Sequence, residues 1–144
     1  MIEEKIYKEL ISVIGRNKVT NNLADRLCFS KDVTPICYKW IELYKLPPYI
    51  ADVVVSPESI KDVKNILKIA NKYNVKVNTY GGGSGVVGGV IPIEGGITID
   101  MSRMDRIINL DEQSLTVEVE AGVIAQNLED YLNRYNFTIR HFPQ

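Results

Sequence analysis

One histidine, two cysteines and no excess of charge leave this chain short of the usual carriers of chemistry. His141 is the only base of its kind. Nothing in its local sequence marks it for a Ser-His-Asp or Cys-His relay, so we read it as structural and assign no catalytic residue. Cys28 and Cys37 stand nine positions apart with no CxxC and no nearby histidine, a spacing that makes no zinc site. Seventeen Lys and Arg against eighteen Asp and Glu give a net charge of −1, which supplies no basic field for nucleic acid. No apolar run approaches the about eighteen residues needed to span a bilayer. The opening Met1-Ile-Glu-Glu-Lys-Ile6 has no apolar signal core, so a cytoplasmic chain with reduced, packed thiols is expected.

What remains is ordinary globular composition. A chain of 144 residues, 45% of them hydrophobic, can bury roughly two thirds of its unfolded surface in one unit. Ile6, Leu10, Val13 and Ile14 recur at helical spacing, with Gly15 as the stop. Asn17 to Trp40 reads as irregular, and Leu46-Pro-Pro-Tyr49 punctuates the chain. Residues 1–46 are therefore expected to be a helical and irregular extension, and 47–144 the main unit. There, Asp52–Val55 reads as a buried strand. Ser56 as N-cap, Pro57 and Glu58 open a helix whose apolar face is Ile60, Val63, Ile66, Leu67, Ala70 and Tyr73. Val75–Thr79 is the next strand, which completes a βαβ unit. Further strands are expected at Gly96–Asp100, Arg106–Leu110, Leu115–Glu120 and Phe137–Arg140, with a helix over Val123–Tyr135. The fold class is α+β, a βαβ start with small mixed sheets flanked by helices.

Six of the ten glycines fall within Tyr80-Gly-Gly-Gly-Ser-Gly-Val-Val-Gly-Gly89, directly after the second strand of that unit. Glycine lets a ligand approach the backbone closely, and successive N–H groups in such a loop form a concavity for anions. Diphosphate suits a loop with no Lys or Arg between Lys76 and Arg103; a plain solvent turn is the bland alternative. Gly83, Gly85 and Gly88 spell GxGxxG, but Pro92 and Gly95 forbid the helix that a dinucleotide fingerprint needs. No Lys-Ser or Lys-Thr follows to make a Walker loop.

Four segments in order resemble the vanillyl-alcohol oxidase and p-cresol methylhydroxylase superfamily of FAD-binding proteins: Val55-Ser-Pro-Glu-Ser-Ile-Lys-Asp-Val63, Tyr80-Gly-Gly-Gly-Ser-Gly85 with Gly88-Gly89, Ile99-Asp-Met-Ser-Arg-Met104, and Val117-Glu-Val-Glu-Ala-Gly-Val123. Leu27 to Thr34 also resembles the segment before the domain. The similar branch holds glycolate oxidase subunits, D-lactate dehydrogenases and alkyldihydroxyacetonephosphate synthases. The resemblance implies an FAD diphosphate cradled by Tyr80, Gly81, Gly82, Gly83, Ser84 and Gly85, with Ser84 adding a hydroxyl donor. It places Gly122 and Val123 near the nucleotide, and Pro143 and Gln144 at the opening of a second flavin-contacting segment. For Asp100 and Met104 it leaves ligand contact and a turn or core role equally open. Relatives that tether flavin do so through a histidine where this chain has Gly83, so the implied FAD is non-covalent. Family members continue for several hundred residues. The implied protein is therefore a truncated form, or one whose remainder a second polypeptide supplies, with weak or absent FAD binding by this chain alone. The implied activity is oxidation of a 2-hydroxy acid; an alkyldihydroxyacetonephosphate synthase-like flavoenzyme or a non-catalytic module are the alternatives.

Overall fold

A computed structural model describes residues 2–141. The helical spacing at the N-terminus forms α1 (Glu4–Ile14), which buries Ile6, Tyr7, Leu10 and Ile14 and ends at Gly15, whose N–H bonds Ile11 O. One 3-10 turn (Arg16–Lys18) leads to β1 (Val19–Thr20). Two helices follow where the chain is expected to be irregular, α2 (Leu23–Cys28) within that stretch and α3 (Pro35–Tyr44) starting in it and running four residues beyond Trp40. Each carries a start signal. Asn22 Oδ1 accepts from the Ala24 N–H, and Pro35 sits in the first turn of α3, where its missing donor costs nothing.

The main unit runs β2 (Val53–Val55), α4 (Ile60–Lys72), β3 (Val77–Tyr80), β4 (Ile97–Asp100), β5 (Ile107–Asp111), β6 (Thr116–Val119) and α5 (Ala125–Asn133). Helix α4 begins later than its expected cap. Ser59 holds the Asp62 N–H through its hydroxyl at 3.2 Å, while Ser56, kept extended by the following Pro57, gives its hydroxyl to Asp100 instead. Ile60, expected on the apolar face, is 79% exposed as a result. Phe137–Arg140 forms no strand. Glu129 captures it by accepting from the Ile139 N–H at 3.0 Å and from the Thr138 hydroxyl.

The main sheet has the order β1-β2-β4-β3, with β2, β4 and β3 parallel and β1 antiparallel to β2. Strand β4 lies between the two strands of the expected βαβ unit, pairing Val54 with Thr98 on one side and Asn78 with Thr98 on the other. Strands β5 and β6 form a separate hairpin. One face of the main sheet packs on α1 and α4 through Leu10, Ile14, Val53, Val55, Ile66, Ile69, Ile97 and Ile99. Full burial of a side chain such as Leu10 or Ile66 stabilises the fold by about 2 kcal/mol. Residues of the expected extension thus share this core, and β1 pairs with β2. No helix among the described residues is long and apolar enough to cross a membrane.

An ion network ties the 3-10 turn to the start of α4. Lys18 Nζ lies 2.9 Å from Asp62 Oδ2 and 3.0 Å from Glu58 Oε2, and Arg103 reaches Glu58 Oε1 at 2.8 Å. Burial pushes the Asp62 carboxyl up, but hydrogen bonds from Lys18, the Glu58 N–H and Ser59 outweigh it and hold the group below its ordinary 3.8. Lys18 and then Arg103 lower Glu58 from 4.5, and Asp62 and then Glu58 raise Lys18 above 10.5. The carboxylates therefore contribute stability that is complete above their unfolded values and is lost as pH falls through their folded ones. The lysine's share is complete below 10.5 and is lost at higher pH. Lys18→Met is expected to flatten the acid limb below about pH 4.5 in urea unfolding followed against pH; an unchanged limb would assign acid sensitivity elsewhere.

Candidate functional site

Parallel strands in an open sheet present ligands at their carboxyl ends, and here Val55, Tyr80 and Asp100 share that edge. Strand β3 stays paired to its last residue, since Tyr80 O accepts from the Met101 N–H at 2.9 Å. The glycine loop departs from that point. Its near limb is fixed by the Tyr80 ring, which meets Phe29 edge-on with centroids 5.0 Å apart and donates its hydroxyl to Lys31 O at 3.2 Å. Burial, with smaller effects from Cys28, Asp32 and Asp100, raises the Tyr80 phenol above its usual value and keeps it a donor. The far limb is fixed by two bonds. Gly85 O accepts from the Val33 N–H at 3.1 Å, and the Gly88 N–H donates to Asp32 Oδ2 at 2.9 Å.

Between these anchors the amides of Gly81 through Val87 donate to no other group among the described residues. Gly83 adopts φ +66°, and a Cβ there would come within 2.6 Å of Tyr80 Cζ, so only glycine fits. A left-handed residue within such a run turns neighbouring N–H groups toward a common concavity. At Gly81 and Gly89 a Cβ would meet nothing within 4 Å, which leaves the backbone open to approach. Ser84 is exposed and its hydroxyl makes no hydrogen bond among the described residues. An apolar cavity of about 320 Å³ adjoins the loop, lined in part by Leu67, Thr79, Gly81, Met101 and Ala121. A second cavity of about 360 Å³, between the β5–β6 hairpin and Phe137–Ile139, lies away from it.

The turn before α5 meets the same loop. A Cβ on Gly82 would lie 3.6 Å from Ile124 Cδ1. The N–H groups of Gly122 and Val123, in the same turn, are already engaged. Gly122 donates to Met104 O at 2.8 Å and Val123 to Glu120 O at 3.2 Å. Glu120 is fastened beneath the turn by the Arg106 side chain and N–H, which hold its carboxyl below the ordinary range.

Asp100 spends both oxygens on the protein, one on the Ser56 hydroxyl at 2.9 Å and one on the Ser102 N–H at 3.0 Å. Met104 is buried, with its carbonyl on Gly122. Both therefore serve the turn after β4. Pro143 and Gln144 lie outside the described residues. Cys37 is buried, its thiol 3.7 Å from Asp32 Oδ1, while Cys28 and His141 are exposed. Asp32 is the residue that sequence reasoning missed, although an acid two positions before the cap of α3 is a readable signal: its Oδ1 accepts from the Thr34 N–H at 2.9 Å.

This donor set fits a diphosphate. It offers consecutive unengaged amides and an open backbone, and the nearest carboxylates, Asp32 and Asp100, are already bonded within the protein. Glycolate oxidase subunit GlcD of Bacillus subtilis is 31% identical over 128 residues, covering 89% of this chain and 25% of that one. The mitochondrial D-lactate dehydrogenase (cytochrome) of Arabidopsis thaliana is 41% identical over 86 residues, 60% of this chain and 15% of its own. A solved alkyldihydroxyacetonephosphate synthase superposes with a TM-score of 0.88 at 24% identity, covering 99% of this chain and 29% of that one, which shows a shared fold. This chain spans a quarter or less of the length of these two curated relatives. A family model described as FAD binding domain matches residues 51–144. The chain belongs to that FAD-binding family, and its cofactor is FAD.

Proposed function

We propose that this chain supplies the diphosphate-gripping part of a flavin-dependent dehydrogenase acting on a 2-hydroxy acid of the glycolate or D-lactate type. The observation that carries it is the run of unengaged amides from Gly81 to Val87 at the carboxyl end of β3. In this reading Gly81, Gly82, Gly83, Ser84 and Gly85 donate to phosphate oxygens, Tyr80 holds the loop's near limb, and Gly122 and Val123 contribute shape rather than donors. With glycine at position 83 and no histidine or cysteine in the loop, FAD is held without a covalent bond. FAD, when bound, supplies the acceptor for the hydride that leaves the hydroxy-acid carbon. The residues that would face the substrate come from outside this chain, on further sequence or on a second polypeptide, and the location is cytoplasmic.

Binding by the 144 residues alone is expected to be weak. No stoichiometric flavin band should survive purification, and a dissociation constant of about 100 µM would make 1 mM FAD raise Tm by about 4 °C. Scanning calorimetry with FAD, ADP and NAD checks this; no shift with FAD, or a larger one with NAD, overturns the cofactor assignment. A flavin-loaded protein that joins this chain to a substrate-binding part should reduce a dye with glycolate or D-lactate. Absence of that reduction in a flavin-loaded protein favours alkyl-for-acyl exchange, as in the synthase of similar fold.

A further inference from the structure

Residues 27–34 lie well before the glycine loop in sequence, yet both ends of the loop are fastened to them. Tyr80 bonds Lys31 O and stacks edge-on against Phe29 at one end. At the other, Asp32 accepts from the Gly88 N–H, and the adjacent Val33 donates its N–H to Gly85 O. Asp32 is 5% exposed, and each of its oxygens is committed: Oδ1 to the Thr34 N–H with the Cys37 thiol nearby, Oδ2 to the Gly88 N–H. A Cβ at Gly85 would stand 3.2 Å from Oδ2, so the loop passes close over the carboxylate with little room between them.

We infer that Asp32 is a positioning residue for the FAD diphosphate. Its charge is spent on holding the far limb of the glycine loop, so that the amides of Gly81–Val87 stay aimed outward before ligand arrives. This rests on the cofactor reading above. A buried acid close to a diphosphate site would repel the ligand if it pointed outward. Turned inward and bonded by backbone N–H groups at both oxygens, it acts on the loop instead. A mobile glycine-rich segment loses much entropy on ordering around a ligand, and a prefastened loop avoids that loss.

The test is Asp32→Asn in the 144-residue chain. Asparagine keeps the shape but offers a donor where one of the two N–H groups needs an acceptor. The Gly88 amide is expected to exchange with solvent at least tenfold faster by NMR, while the amides of β2 and β4 keep their rates. FAD affinity, measured where circular dichroism shows both proteins fully folded, is expected to fall at least tenfold. Unchanged Gly88 exchange, or affinity within twofold, overturns the inference, as does equal loosening of loop and sheet. If D32N does not fold, the unaltered chain carries the test. Its Gly88 amide must be at least tenfold better protected than those of Gly81–Val87, and equal protection overturns the inference. A wild-type chain that ignores FAD but shows the exchange contrast would sink the cofactor reading alone and leave the fastening in place.

Discussion

Alanine at position 122 is expected to cost about 4 kcal/mol and to lower Tm by about 12 °C. The added Cβ would stand 2.7 Å from the Met101 carbonyl carbon and 2.9 Å from Met104 O, with the Met101 oxygen nearer still. These are backbone atoms, so no side chain can swing away to relieve the overlap. The Met101–Met104 turn is itself pinned by the Met104 N–H on Met101 O, and Asp100 is held in place by Ser56 and Ser102. Moving the turn would therefore pull on the end of the central strand. Relief in the other direction breaks the 2.8 Å bond from Gly122 N–H to Met104 O and lifts the 122–124 turn off Gly82. Scanning calorimetry decides it: a Tm within 3 °C of the parent means the two turns can separate at little cost.

Aspartate at position 81 is expected to do the reverse, leaving the fold intact and abolishing the response to FAD. A Cβ there meets nothing within 4 Å, and φ at Gly81 is not in the left-handed region, so the unliganded Tm should stay within about 2 °C. A carboxylate placed about 5 Å from a phosphate charge at an effective dielectric of about 20 opposes it by about 3 kcal/mol, more than a hundredfold in affinity. Gly81→Ala adds the same carbon without the charge and should keep most of the FAD shift. Calorimetry of the three proteins with and without 1 mM FAD separates charge from bulk. A full shift retained by Gly81→Asp would move the diphosphate away from this limb of the loop. Together the substitutions at 81 and 122 distinguish a glycine kept for a ligand from one kept for packing.

Much of this was readable in the residues. Helix α1 followed from Ile6, Leu10 and Ile14, β2 from three adjacent valines, and the glycine loop from its density of residues without side chains. Within that loop, Gly83 takes a left-handed φ of +66°, a conformation that favours glycine. What escaped depends on partners distant in sequence. Strand β1 is two residues long and exists because Val19 and Thr20 find Val55 and Val54. Ser56 carries as good a capping hydroxyl as Ser59, and only the position of Asp100 decides which one caps. Helices α2 and α3 have legible starts at Asn22 and Pro35 but weak apolar periods, since α2 buries no residue fully and α3 only Cys37. Asp32 was legible as a turn residue before α3, but its hold on the glycine loop was not, since that partner is an amide 56 positions away.

The placement of β4 between β2 and β3 has a consequence for how the chain assembles. The slot between those strands is filled by a segment that comes after both, so β2 has only β1 beside it, and β3 has no neighbour, until Ile97–Asp100 has left the ribosome. Until then α1 and α4 have only a partial surface to settle on, and non-local strand pairing is the slow kind. The glycine loop is synthesised before the strand beside it, and Tyr80 at its start gains its Met101 partner only when that middle strand is in place.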